Sequence, residues 1–385
     1  MSTSGEPTPP QKGRKVRADL RRNRLQPGRR RDWTQRALAA EDHELDTRST
    51  ESVSAKGDLS RRRTITVRDR AAALAAGLHL GTVVAMRGLY ADVDDGTDHW
   101  PCTIRRLLRT RLIAERQPIT VGDRVYFRPR VEAGQAESRT GVIEDVEPRH
   151  SQLCRRTDRR VHAIVANVDQ VLIVTSAALP DPKPHLIDRY IVATLAGGMT
   201  PVICLNKVDL DAEGVTRTLL EVYQQLEYPT LCTSVVTGEG IDALRGILHD
   251  KASVVAGQSG VGKSSLLNAV QPGLKLKVGD IIEQTQKGRH TTVTATLLTL
   301  DGGGYVVDTP GVRSFDLSLL NPHELEVYFA EFVPLVPACK FPDCSHTHEI
   351  GCAVKDAVEA GRINPQRYES YIGLFAESGG ATGDS

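Results

Sequence analysis

The chain has 385 residues, 40% of them hydrophobic and 25% charged. Those values are ordinary for a soluble protein of two or three domains with ample core. No apolar run approaches the ~20 residues of a membrane-spanning helix, so that class is excluded. The formal net charge of +1 conceals an asymmetry, because eleven Lys/Arg and only two acids, Asp19 and Asp32, lie between Lys12 and Arg36. The N-terminus lacks the apolar stretch of a secretory signal. Its arginines would suit an organellar transit peptide, against which its prolines and acids count. Of the seven cysteines, Cys102, Cys154, Cys204 and Cys232 are scattered in apolar or strand-like settings and read as reduced, part-buried thiols. An odd cysteine count without a signal peptide points to a reducing cytosol.

In chain order, residues 1–75 are rich in Arg, Ser, Thr, Pro and Glu and read as a basic, largely disordered extension. Within it, Arg21 to Arg31 (RRNRLQPGRRR) is either an RNA-phosphate contact or a solvated tail. Arg68 to Ala76 reads as a short helix. Residues 78–156 change to short strands: Gly81–Met86, Leu89–Val93, Trp100–Leu107, Asp123–Phe127 and Gly141–Val146. Five short strands in some 75 residues suit an OB-type barrel, a fold that often binds RNA. Arg105, Arg106, Arg109, Arg111, Arg124, Arg128 and Arg130 supply charge for that contact; otherwise the barrel is structural with a solvated basic surface.

Residues 161–318 read as α/β. Gln170–Ser176 and Pro201–Asn206 are apolar, β-branched runs separated by a helical segment, His185–Leu195. Strands alternating with helices imply a parallel sheet covered on both faces. Leu219–Leu226 and Ile241–His249 read as further helices, and Thr230–Ser234 as a strand.

Five motifs in this region carry chemistry. GQSGVGKSS, from Gly257 through Gln258, Ser259, Gly260, Val261, Gly262, Lys263 and Ser264 to Ser265, follows a strand and opens a helix, as a phosphate loop must. Its glycines let backbone N–H groups converge on phosphate oxygens, and the helix start adds its positive dipole end. Lys263 would reach the β- and γ-phosphates, and Ser264 would ligate Mg2+. NKVDL, Asn206 to Leu210, closes a strand. Asp209 would accept from guanine N1–H and the exocyclic amine, a donor pair that adenine lacks, so GTP is favoured over ATP. Asn206 would contact the base or brace the loops, and Lys207 would lay its stem over the ring. TSVVTGEG, Thr233 to Gly240 and including Ser234, is a plausible base-side loop. DTPGV follows another apolar strand, with Asp308 placed for Mg2+ and the Gly311 N–H for the γ-phosphate. GRHTT, Gly288 to Thr292, lies between, and Thr291 or Thr292 would complete the magnesium set when GTP is bound. Val312 stands where many GTPases carry a water-orienting glutamine, which leaves His290 as the nearest candidate for that task.

The order is unusual. The guanine motif at Asn206 precedes the phosphate loop, as if the usual domain had been circularly permuted, so that DTPGV runs directly into the C-terminal region. There Cys339, Cys344, His346 and Cys352, spaced C-x4-C-x-H-x5-C, form a closed set for one structural zinc, with His348 as the alternative imidazole. Pro322–Phe332, Cys352–Ala360 and Pro365–Leu374 read as helices. Residues 319–375 are therefore a small zinc-binding helical domain, followed by a flexible tail at 376–385.

Taken together, permuted NKVDL, GQSGVGKSS, GRHTT, DTPGVRSF and the cysteine-histidine knuckle closely resemble the small ribosomal subunit biogenesis GTPase family, called RsgA or YjeQ. ANVDQVLIV (Ala166 to Val174) and LIDRY (Leu186 to Tyr190) add to the match, which runs from about Leu78 to Leu374. The resemblance implies a multidomain chain: an OB-fold β-barrel, a circularly permuted P-loop GTPase domain and a C-terminal helical zinc domain. It implies GTP hydrolysis with Mg2+, stimulated by the small (30S) subunit during its late maturation. Binding to that subunit's rRNA follows from it, with other assembly factors as further candidate partners. A cytoplasmic monomer with no membrane contact is expected. The long basic extension departs from the compact family pattern.

Overall fold

The computed structural model describes residues 15–19, 62–66, 73–74, 76–114, 119–131, 139–157, 160–274, 295–308 and 320–379. The chain divides into two compact units, one of Met1–Leu78 with Arg105–Pro118 and one of His79–Ile104 with Ile119–Ser385. In the first, β1 (Lys15–Asp19) and β2 (Arg62–Thr66) pair as an antiparallel ribbon inside the extension expected to be largely disordered. The same unit holds α1 (Arg106–Ala114). The strand expected to run to Leu107 ends at Ile104 because Leu108 and Leu112, one helical turn apart, are both buried.

In the second unit, β3 (His79–Arg87), β4 (Tyr90–Asp94), β5 (His99–Ile104), β6 (Arg124–Val131) and β7 (Arg139–Val146) form a five-stranded, OB-like barrel. β3, β4 and β5 run as an antiparallel meander, β5 pairs parallel with β7, and β6 closes the barrel on β7 and β3. Alternating residues point inward, so Val83, Ala91, Val93, Cys102, Val125, Phe127 and Ile143 are all fully buried. A hairpin absent from the sequence reading follows, β8 (Gln152–Thr157) and β9 (Arg160–Ala166). It pairs residues from either side of the expected boundary between barrel and α/β region. Buried Asp123 holds Arg149 in a two-pronged ion pair at 2.7 and 2.8 Å, fastening the barrel to the hairpin's base.

β10 (Gln170–Ser176) begins a sheet in the order β12–β11–β10–β13–β15–β14, with β11 Thr200–Asn206, β12 Thr230–Cys232, β13 Ala252–Ala256, β14 Thr296–Thr299 and β15 Tyr305–Asp308. All its pairings are parallel except β14 with β15. Every residue of β10 is buried because both faces are covered. Val171 and Ile173 pack under α2 (Pro184–Ala196) and α3 (Leu219–Gln225). Leu172 and Val174 pack under α4 (Ile241–Leu248) and α5 (Lys263–Val270). β14 also pairs with β3 at Thr296 and Ala85, so barrel and α/β strands form one continuous sheet.

The C-terminal region holds a 3-10 segment (Pro322–Tyr328), α6 (Ala353–Glu359) and α7 (Pro365–Glu377). Where the sequence suggested an α-helix to Phe332, the tighter 3-10 form stops at Tyr328, and Phe329 and Phe332 turn into a core with Tyr371 and Phe375. Asn364 caps α7 by accepting from Gln366 N at 2.8 Å. Among the described residues, no helix is long and apolar enough to cross a membrane.

Candidate functional site

The glycine-rich sequence Gly257–Ser265 sits where β13 gives way to α5. Gly257 has φ +142, and a Cβ there would lie 2.1 Å from the Val174 carbonyl oxygen, so the loop leaves the strand pressed against β10. Gly262 has φ +95, and a Cβ there would fall 2.4 Å from Asn206 Nδ2. Both positions therefore exclude side chains for reasons of space as well as conformation. α5 starts at Lys263, whose Nζ donates to the Gly257 and Gln258 carbonyls at 2.8 Å each. Burial lowers the Lys263 pKa, a cost that a phosphate anion beside it would offset. Ser259 and Gly260 are exposed, Val261 is buried, and Gln258, Ser264 and Ser265 are half-buried along the same loop.

The guanine motif lies at the end of β11, two strands away. Buried Asn206 donates from Nδ2 to the Val261 carbonyl at 2.8 Å and accepts at Oδ1 from Thr233 Oγ1 at 3.1 Å. Asp209 accepts from Ser234 Oγ at 2.5 Å, and Ser234 Oγ in turn accepts from Thr237 N at 3.2 Å. Lys207 takes a left-handed φ of 59, and its ammonium donates to the Leu179 carbonyl. The residues after β11, β12 and β13 thus converge at the carboxyl end of the parallel strands, where ligands of open α/β sheets bind. Sequence reasoning placed Thr233 in a base-side loop but missed its bond to Asn206. It also missed the Leu179–Pro180 corner, which has no motif to announce it.

Asp308 ends β15, the parallel neighbour of the phosphate-loop strand, which brings its backbone to the same edge. His290, Thr291, Thr292 and Gly311 lie outside the described residues.

Cys339, Cys344, His346 and Cys352 come together with all four ligand atoms within 4.8 Å of one another. His346 turns Nδ1 toward the sulfurs, 3.6 Å from Cys339 and 3.3 Å from Cys352, while Nε2 meets Glu326 Oε2 at 2.6 Å. A carboxylate on the far nitrogen fixes the tautomer that leaves Nδ1 free to ligate, so the donor set fits a zinc ion. His348 is exposed, with its Nδ1 on Thr347, and the imidazole gathered with the three sulfurs is that of His346. Glu326, twenty residues upstream, has no signature in the sequence.

A family model for the RsgA GTPase matches residues 146–318. The small ribosomal subunit biogenesis GTPase RsgA of Gemmatimonas aurantiaca is 45% identical over 262 residues, spanning 67% of this chain and 84% of that protein. Its counterpart in Shewanella oneidensis is 40% identical over 301 residues, spanning 77% and 82%. Among solved structures, YjeQ from Thermotoga maritima superimposes with a TM-score of 0.64 at 38% identity, over 78% of this chain and 98% of that one. The circularly permuted GTPase YloQ gives 0.62 at 28% identity, over 80% and 97%. Like YloQ, this chain has a circularly permuted order, with Asn206–Asp209 ahead of Gly257–Ser265.

Proposed function

Since the chain belongs to the RsgA family of small ribosomal subunit biogenesis GTPases, and is a GTP hydrolase, we propose that it works as a GTP-driven switch in late maturation of the small ribosomal subunit in the cytoplasm. The observation that carries this reading is the Asn206–Val261 hydrogen bond, which sets a base-reading turn beside a phosphate loop at one sheet edge. In this reading Asp209 reads the guanine edge with Ser234 bracing it, and Lys207 covers the ring. Lys263 leaves its two loop carbonyls for the β- and γ-phosphates, while the N–H groups at the start of α5 hold their oxygens. Ser264, Asp308 and Thr291 or Thr292 hold Mg2+, which supplies charge neutralisation on the β- and γ-phosphates. Gly311 donates its N–H to the γ-phosphate, and His290 orients the attacking water in place of the missing glutamine.

The barrel and the C-terminal domain are assigned to rRNA, the latter pinned by a zinc ion on Cys339, Cys344, His346 and Cys352. Docking on the subunit completes the hydrolytic site, hydrolysis loosens the complex, and the chain acts as a monomer alongside other assembly factors. The deciding experiment measures GTP hydrolysis by the full chain with and without purified small subunits, with Lys263→Ala as control. Stimulation by subunits, abolished in Lys263→Ala, is expected; equal rates with and without subunits overturn the ribosome-dependent reading. Equal subunit affinity of the GTP- and GDP-bound forms overturns the release step.

A further inference from the structure

Helix α2 stands between the nucleotide pocket and the C-terminal core, with both faces engaged. The segment leading into it closes on both nucleotide loops. Ala177 N donates to the Asn206 carbonyl at 2.8 Å, the Leu179 carbonyl accepts the Lys207 ammonium, and Pro180 Cδ would lie 3.6 Å from a Cβ added at Gly260. Inside the helix, Tyr190 is 2% exposed and shares a core cluster with Ala256, the last residue before the phosphate loop. Burial raises the pKa of its hydroxyl, and the Gly257 backbone amide beside it opposes that rise.

Asp188 and Val192, one turn apart, face the other way. Asp188 Oδ1 accepts from Arg367 at 2.6 Å and from the Tyr223 hydroxyl at 3.0 Å. Arg367, 2% exposed on α7, also clasps Glu331 at 2.8 and 3.1 Å and lies 4.6 Å over the Phe329 ring. Val192 packs within the C-terminal core beside Tyr371 and Phe375, and Arg189 pairs with Glu377 at the end of α7. A buried guanidinium clasped by two carboxylates is costly to separate, so α2 and α7 move as one body.

We infer that α2 is a rigid link in which Tyr190 positions the phosphate loop, and through which the C-terminal domain, gripping Asp188 with Arg367, senses bound nucleotide. This goes beyond the ribosome-dependent reading, because it requires only that the chain bind GTP. Coupling between two sites is reciprocal, so nucleotide at Gly257–Ser265 must be felt at α7.

The test is amide hydrogen exchange of the full chain with and without a non-hydrolysable GTP analogue, in wild type, Tyr190→Phe, Asp188→Asn and Arg367→Lys. In wild type the analogue slows exchange in α7 by roughly fivefold or more. In each variant that slowing falls by at least half, while in Asp188→Asn and Arg367→Lys β13 and α5 keep their full response. Tyr190→Phe removes one oxygen and leaves the ring in its cluster, so it still decides between the outcomes if the polar variants melt early. A wild-type α7 indifferent to the analogue overturns the inference. So does an unchanged ratio of bound to free exchange in Tyr190→Phe, the result expected if the contacts are only structural.

Discussion

Asn206 donates to the Val261 carbonyl at 2.8 Å while Thr233 Oγ1 donates to Asn206 Oδ1 at 3.1 Å. The turn after β11 and the glycine-rich loop after β13 are thereby braced against each other through one buried amide, whose orientation the threonine sets. Thr233→Val keeps the shape and removes the donor, leaving Asn206 Oδ1 buried and unpaired at a cost of about 1–3 kcal/mol. The expected outcome is a drop of about tenfold in affinity for GTP and GDP alike, read by titration with a fluorescent nucleotide. A loss confined to one nucleotide would contradict the bracing role, since both share the base and the loop.

Asp209 presents a carboxylate whose Oδ1 already accepts from Ser234 at 2.5 Å, which aims the group. Asp209→Asn replaces an acceptor with an amide whose donors face those of guanine. We expect GTP affinity to fall at least about a hundredfold. Binding of xanthosine triphosphate, which offers a carbonyl at the 2-position, should rise. Ser234→Ala should lower affinity less, because the acceptor survives and only its orientation loosens. Competition binding with the two triphosphates checks both, and an Asp209→Asn variant that still prefers GTP would remove Asp209 from base recognition.

Much of this architecture is legible in the residues because the motifs are local and each dictates a backbone form. Gly257 and Gly262 mark positions with no room for a Cβ, and the apolar run from Gln170 to Ser176 marks a strand covered on both faces. The three cysteines announce themselves by spacing, whereas the choice of His346 over His348 comes from the folded cluster. What escaped the sequence depends on contacts between distant residues. The β8–β9 hairpin is arginine-rich and lacks a clean alternation, so only its pairing reveals it. Glu326 and Arg367 look like ordinary surface charges in the sequence. They become a histidine's partner and a buried clasp only once the chain brings them to His346 and Asp188.

Glu326 should matter to metal affinity although it touches no metal. Its carboxylate 2.6 Å from His346 Nε2 keeps the proton on that nitrogen and the lone pair on Nδ1. Glu326→Gln retains a hydrogen bond but loses the charge, and zinc affinity should fall by about 10- to 100-fold, measured by competition with a chromogenic chelator. Stripping zinc from the wild type should lower the thermal midpoint, because four ligands held within 4.8 Å of one another lose their cross-link. Zinc affinity in Glu326→Gln equal to wild type would make the contact incidental.

Two thiols should be chemically silent in the folded chain. Cys102 lies inside the barrel, where burial, with the negative charge of Asp92 adding to it, pushes its pKa up from 9.0 to about 12. Cys204 lies within the α/β sheet, and burial likewise raises it from 9.0 to about 12, with its hydrogen-bonding contact to Thr233 opposing the rise. Since the thiolate is the nucleophile, each should react with iodoacetamide at pH 8 roughly a thousandfold more slowly than in the urea-unfolded chain. Cys154 and Cys232 are only half-buried and should be labelled first. The sign is fixed: raising the pH from 8 to 9 speeds Cys102 and Cys204 by about tenfold without bringing them level with the unfolded thiols. Peptide mapping after timed alkylation reads all four at once. Rapid labelling of Cys102 under native conditions would mean that the barrel opens far more often than its fully buried core implies, since alkylation would then report the open state.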